Sequence, residues 1–242
     1  MRVRLAIVSG GGTGIGAATA RMLAEDGYDV MIVGRRAAVL ADTAAAIGPS
    51  ATSVIADLTL PQDVAQVASA VGDREVDVLV NNAGGYLTGG DGGLAGLADW
   101  WQRNLDANLL TAVLLTEALR DKLRRPGGRV VLVSSIAAQR GGGGPYSAAK
   151  AALHGWAYDL AAELGPDGIT VNVVVPGYVA DTEFFGDRMT PDGHARRVAQ
   201  TLVGRAGQPS DIAAAIRYLA SPAAGYVTGQ VFGVNGGSVL GR

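Results

Sequence analysis

The segment Tyr146-Ser147-Ala148-Ala149-Lys150 holds one of only two lysines in a chain of 242 residues that carries eighteen arginines. A lysine this scarce is not surface filler. On a helix, residues four apart share a face, so the phenol and the ammonium stand one turn apart and point the same way. A nearby cation favours the phenolate, and Pro145 is suited to open the helix, placing its positive N-terminal end near the same ring. Both effects lower the phenol's pKa from its ordinary value of about 10. A tyrosine so tuned can exchange a proton near neutral pH. Upstream, Ser134 and Ser135 offer hydroxyl donors, and Ser134 is expected to bond the backbone.

Composition limits what else could do chemistry. There are no cysteines and only two histidines, His154 and His194, which removes disulfides, thiol nucleophiles, most zinc sites and any Ser/His triad built from a nearby pair. No metal ligand set is expected. The formal net charge is −2 and no basic run exceeds two residues, so neither nucleic acid nor an anionic membrane is an expected partner. The expected partner is a small molecule. No long apolar run is present, and the first one, Leu5-Ala6-Ile7-Val8, is too short for a signal peptide, so a cytoplasmic protein is expected.

These residues must be positioned by a scaffold, and the chain alternates short β-rich runs with helical stretches in the manner of βαβ units on a parallel sheet. Strands are predicted at 4–8, 29–33, 53–56, 76–80, 129–133, 170–175 and 231–234. Helices are predicted at 14–26, 37–47, 61–71, 97–122, 146–164, 191–203 and 210–220. The fold expected is a single α/β domain of Rossmann type, doubly wound, with a seven-stranded parallel sheet and helices on both faces. Each suspicious motif falls at the carboxyl end of a strand: Gly10 to Gly16, Gly34-Arg35-Arg36, Asp57, Asn81-Asn82-Ala83-Gly84, Ser134-Ser135 and Pro176-Gly177. In an open parallel sheet that edge is where ligands bind.

The run Gly10-Gly11-Gly12-Thr13-Gly14-Ile15-Gly16 follows a strand and opens a helix, the setting in which glycines let a pyrophosphate approach backbone N–H groups. No Lys-Ser/Thr follows it, which argues against a P-loop kinase or ATPase. Where an acidic residue would hold the ribose 2′-hydroxyl of NAD, this chain has Arg35, which suits the 2′-phosphate of NADP. Asp57 could accept from an adenine amino group or cap a turn. Asn82, Ala83 and Gly84 are placed to shape the cofactor wall.

With these elements in order, the chain resembles the short-chain dehydrogenase/reductase superfamily over essentially its whole length, nearest to its 3-oxoacyl-carrier-protein reductase-like members. The resemblance extends to Thr228-Gly229-Gln230 and Asn235-Gly236-Gly237. It implies hydride transfer between a nicotinamide, NADP(H) in preference to NAD(H), and a carbonyl/alcohol pair. Catalytic positions then map to Asn108, Ser135, Tyr146 and Lys150. Tyr146 is implied as acid/base and Ser135 as donor to the substrate oxygen, with Lys150 holding the nicotinamide ribose and Asn108 a water for proton resupply. Cofactor contacts map to Gly10, Gly12, Thr13, Gly14, Ile15, Gly16, Arg35, Asp57, Leu58, Asn82, Ala83, Gly84, Tyr146, Lys150, Pro176, Gly177, Val179 and Thr182. Two features depart from the family pattern. Ser135 stands 11 residues before Tyr146, about two fewer than usual, and Thr182 lies one place late after Pro176-Gly177. An NAD-dependent alcohol or hydroxysteroid-type dehydrogenase is the alternative enzyme, and a non-catalytic nucleotide-sensing relative the alternative from another class. The resemblance also implies a homo-oligomer, a dimer of dimers, and the helices around 108–115 and 148–162 are apolar nearly all round, as an interface requires. Finally, the segment 178–203 breaks the strand–helix rhythm and carries Phe184-Phe185 between charged residues. It is expected to be a substrate lid hinged at Gly177 and Gly186.

Overall fold

The computed structural model describes residues 2–241. Seven strands form one parallel sheet: β1 (Arg4–Ser9), β2 (Tyr28–Gly34), β3 (Ala51–Ile55), β4 (Val78–Asn81), β5 (Arg129–Val133), β6 (Thr170–Pro176) and β7 (Val231–Val234). Their order is β3-β2-β1-β4-β5-β6-β7. The strands β1, β4, β5 and β6 are buried on both faces and read as continuous aliphatic runs, as covered parallel strands must. β3 lies at the edge with most of its residues partly or wholly exposed, so its hydrophobic pattern is weak, and it sits two residues earlier at its start than the sequence suggests.

Helices α1 (Gly14–Glu25), α2 (Ala37–Ile47), α3 (Pro61–Val71), α4 (Gly93–Leu105), α5 (Thr111–Leu119), α6 (Ala137–Arg140), α7 (Pro145–Leu164), α8 (Pro191–Val198) and α9 (Pro209–Ala220) complete the doubly wound fold. One core layer sets Leu79, Leu115, Leu132, Leu153 and Leu160 together, and a second sets Val8, Ile32, Leu23, Ile212 and Ile216 together. The long helix predicted over 97–122 begins earlier and is interrupted. Between α4 and α5 the backbone makes a π-helical turn over Asp106–Leu110. Such turns widen the helix and are frequent at functional sites.

The chain runs outward from β1 to β2 and β3, then crosses back to lay β4 on the other side of β1. That reversal opens a crevice at the carboxyl ends of β1 and β4, the place where a doubly wound sheet receives a ligand. The loops entering it are the glycine run after β1 and Asn82–Gly85 after β4.

Candidate active site

The cleft has a volume of about 1000 Å³, at the upper end of ligand-binding clefts, and runs from Arg35 and Arg36 at one end to Ser135, Tyr146 and Phe184 at the other. At the first end, α1 begins with no side-chain cap and no acidic residue in its first turn, which leaves its N-terminal amides available to an anion. Gly10 and Gly14 both hold positive φ, at 63° and 53°, a backbone that a side chain would strain. Gly16 behaves differently. A Cβ there would lie 2.1 Å from the Gly10 carbonyl oxygen, so this glycine lets α1 pack against its own loop, and it does not line the cleft as expected of a cofactor contact.

The wall after β4 is fixed by a serine that sequence reasoning missed. Ser9, at the end of β1, accepts from the amides of Asn82 and Ala83 at 2.9 Å each, while Asn82 Nδ2 donates to the carbonyls of Ser9 (3.0 Å) and Gly10 (3.2 Å). The two loops are thereby locked together across the switch point. A hydroxyl at the last position of the first strand was the available signal.

Arg35 is mostly exposed and forms an ion pair with Asp57 at 3.9 Å. Asp57 also caps its own turn, accepting from the Thr59 amide and hydroxyl at 3.0 and 2.8 Å, so its turn-forming role is present and its other oxygen faces Arg35. Leu58 beside it is core-buried and borders the cleft. Pro176, Gly177, Val179 and Thr182 line the far wall, as do Gly12, Thr13 and Ile15 on the near one. At Gly177 a Cβ would meet the Asn235 backbone at 2.7 Å, so close packing requires glycine there. The positive-φ residues that bracket the segment are Asp181 (55°) and Gly186 (49°).

Tyr146 and Lys150 lie in the first turns of α7, both almost fully buried. The environment overturns the expected acidity of the phenol. Burial pushes Tyr146 up to about 12, only partly opposed by the neighbouring Ser135 hydroxyl. The reason is desolvation of a phenolate that no cation touches: Lys150 Nζ donates instead to the Val133 carbonyl at 2.9 Å. Burial also pulls Lys150 down to about 8. The Ser135 hydroxyl accepts from the Ala137 amide at 3.1 Å. Ser134 turns away as expected, donating to the Lys150 carbonyl at 2.8 Å and meeting His154 Nε2 at 2.9 Å.

Asn108 sits in the π-helical turn and is buried. It donates to the Gly85 carbonyl at 2.9 Å and accepts from the Gly85 amide at 2.9 Å, which pins the β4 loop, and it also donates to the Asn104 carbonyl at 3.1 Å. A Cβ at Gly84 would come within 2.6 Å of Asn108 Oδ1 and 3.1 Å of Lys150 Nζ. Only glycine allows that approach. Trp100, another residue the sequence did not single out, packs against Gly89, Gly90 and Gly144 and donates to the Leu87 carbonyl at 2.7 Å, bracing the loops beside Tyr146.

Around the phenol lie Tyr86, at 5.9 Å between ring centroids, and Phe184, at 5.5 Å. Phe185 meets Phe184 (4.9 Å) and Tyr178 (5.6 Å) edge to face. The site thus has a buried proton donor, a second hydroxyl near it, a buried amine one turn behind, and a long cleft ending in cations.

A family model described as Enoyl-(Acyl carrier protein) reductase matches residues 10–238. The chain belongs to the short-chain dehydrogenase/reductase family. Members of this family are oxidoreductases acting on CH–OH and C=O groups with NAD(P), and this chain is one of them. Short-chain reductase protein NovJ of Streptomyces niveus is 40% identical, over 96% of this chain and 93% of that protein. A 3-oxoacyl-[acyl-carrier-protein] reductase of Synechocystis sp. is 36% identical, over 99% of this chain and 98% of that one. Among solved structures, a variant of the actinorhodin polyketide ketoreductase with NADPH superposes with a TM-score of 0.86 at 31% identity, covering 98% of this chain and 97% of that chain. A blue fluorescent protein from a metagenomic library in complex with NADPH gives 0.88 at 34% identity, covering 98% of each.

The Lys150 environment yields a direct test. Because the ammonium is buried, the folded protein binds fewer protons than the unfolded chain between pH about 8 and 10.5. This group's penalty is therefore full below about 8, and its contribution to stability rises as pH climbs through that window. With two lysines in the chain, selective ¹⁵N-lysine labelling gives two side-chain resonances to follow. One should titrate near 8 and vanish in Lys150→Met. If neither moves until the ordinary lysine value of about 10.4, the burial argument is wrong.

Proposed function

We propose that this family member is an NADP(H)-dependent ketoreductase whose substrate class includes 3-oxoacyl thioesters. The observation that carries the reading is one continuous cleft with Arg35 at its nucleotide end and the Ser135–Tyr146 pair at its other. When bound, NADP(H) supplies or accepts the hydride. The residues present fit it: uncapped amides at the start of α1 for the pyrophosphate, Arg35 for the 2′-phosphate, and Lys150 behind Tyr146 for the nicotinamide ribose.

The protein's own share of the chemistry follows from its acidities. A phenol held near 12 is fully protonated at neutral pH, so in the free protein Tyr146 stands ready as an acid, in the reducing direction. Ser135 donates to the substrate oxygen as negative charge grows there, and Tyr146 delivers its proton to that oxygen. Loss of the proton leaves a phenolate. Lys150, a cation below about 8, is then the nearest compensating charge along α7, once it exchanges the Val133 carbonyl for the ribose and the ring. Asn108 fixes Gly85 and hence the loop wall beside the nicotinamide, and its position at the π turn suits it to hold a water for proton resupply.

The deciding experiment is a screen of ketone and 3-oxoacyl thioester substrates with NADPH and NADH, followed at the nicotinamide absorbance. Consumption of NADPH by a thioester supports the reading; consumption only of NADH, or oxidation of alcohols alone, overturns it.

We also propose a homo-oligomer, a dimer of dimers. Leu94, Leu97, Trp101 and Leu110 on the α4–α5 stretch and Tyr158 on α7 are exposed, more apolar surface than a monomer's helices need to show to water. Light scattering at micromolar concentration should give a mass near four chains. A single-chain mass contradicts this.

A further inference from the structure

Glu183 and Phe184 are consecutive, and one meets Arg36 while the other meets Tyr146. The Glu183 carboxylate accepts from Arg36 Nη1 at 3.1 Å, from Arg36 Nη2 at 2.7 Å and from the Thr13 hydroxyl at 3.3 Å. Arg36 Nη2 also reaches the Thr13 hydroxyl at 3.3 Å, which closes the three groups into a ring. Arg36 follows β2 and Thr13 belongs to the glycine loop, so the ring lies where a doubly wound sheet meets the adenosine ribose. Phe184, meanwhile, packs its ring 5.5 Å from that of Tyr146. Thr182 lies against Gly14, within 3.3 Å of where a Cβ would stand.

This is a bidentate guanidinium and a hydroxyl gathered around a carboxylate, the donor set that also suits a phosphate. We propose that Glu183 is an internal occupant of the 2′-phosphate subsite, and that the cofactor's phosphate displaces it from Arg36 and Thr13, releasing the same short segment that sets Phe184 against Tyr146. The proposal rests on the NADP(H) reading above. It makes Glu183 a specificity-determining residue, because a cofactor without the phosphate has nothing with which to take Arg36 from it. Arg35, paired only at 3.9 Å with Asp57, makes the first contact, and Arg36 joins once Glu183 leaves.

Asp181 and Gly186, both at positive φ, bracket Thr182–Phe185. Arg188 donates to Phe184 O at 2.6 Å and Phe185 O at 3.1 Å, so apart from local bonds the turn is held in place through Glu183. Its only ion pair is the one to Arg36, among the described residues. Arg36 and Glu183 are more than half exposed, so the latch is weak. An exposed pair of this kind shifts an equilibrium about two- to fivefold, and a ligand that must first open the latch loses apparent affinity by that factor.

The test uses the full chain and two fragments, adenosine 2′,5′-bisphosphate and 5′-AMP, with binding by calorimetry and hydrogen exchange of peptides spanning 182–189. The reporting amides are those of Gly186, Arg188 and Met189, which donate to Glu183, Phe185 and Gly186 carbonyls. Glu183→Gln should bind the bisphosphate about two- to fivefold more tightly, with 5′-AMP unchanged. Exchange in the segment should rise when wild type binds the bisphosphate, and should already be raised in ligand-free Glu183→Gln. A variant that tightens both fragments alike reports only a change of net charge, and unchanged exchange means no latch; either result overturns the proposal while leaving the cofactor reading intact. Equal binding of the two fragments by wild type overturns both.

Discussion

Replacing Tyr146 by phenylalanine is expected to lower kcat/KM for carbonyl reduction at least about 100-fold, the smaller end of what a positioned proton donor supplies. The substitution removes one oxygen and keeps the ring, so the contacts with Tyr86 and Phe184 survive and the fold should be unchanged. NADPH binding, followed by nicotinamide fluorescence, should remain within about threefold of wild type, because an acid that acts in the transition state adds little to ground-state binding. The drop should appear in kcat. Ser135→Ala should show a smaller loss, since Tyr146 still delivers the proton. Retained turnover in a folded Tyr146→Phe would remove the phenol from the chemistry.

The second large effect concerns cofactor choice. A hydrogen-bonded contact to a charged group contributes about 1.5–3 kcal/mol, which converts to about 10- to 150-fold. Arg35→Ala should therefore lower kcat/KM with NADPH by about that factor and leave NADH nearly unaffected, so that wild-type preference falls by the same factor. Most of the Arg35 side chain is exposed, and the variant leaves Asp57 held by Thr59, so little stability is at stake. Wild-type constants that favour NADH, or an Arg35→Ala that loses both cofactors equally, would place the selecting residue elsewhere.

Much of the scaffold was legible because the residues that carry it act locally. Strand-end motifs, Pro at the starts of α3, α7, α8 and α9, and the i, i+4 spacing of Tyr146 and Lys150 all report on their own turn of chain. What failed was tertiary. The phenol's acidity was read from Lys150 and the helix N-terminus alone, whereas burial raises it and Lys150 bonds to β5. At the π turn the Asn108 side chain bonds a loop 23 residues away, which no helical periodicity records. Gly16 packs on the Gly10 carbonyl and Gly177 on the Asn235 backbone, close approaches that spacing along the chain does not record. The Arg36–Glu183 pair joins residues 147 apart, and neither residue type alone signals the other.

On the proposed mechanism, hydride passes from NADPH to a carbonyl carbon while Tyr146 protonates the oxygen. Incubating the protein with a 3-oxoacyl thioester and NADPH deuterated at the transferring C4 position tests it most directly, with the product analysed by mass spectrometry and NMR. Deuterium at the new carbinol carbon, formed by wild type and not by Tyr146→Phe, is the predicted result. A product without deuterium at that carbon, or label transferred equally well by Tyr146→Phe, would contradict the account.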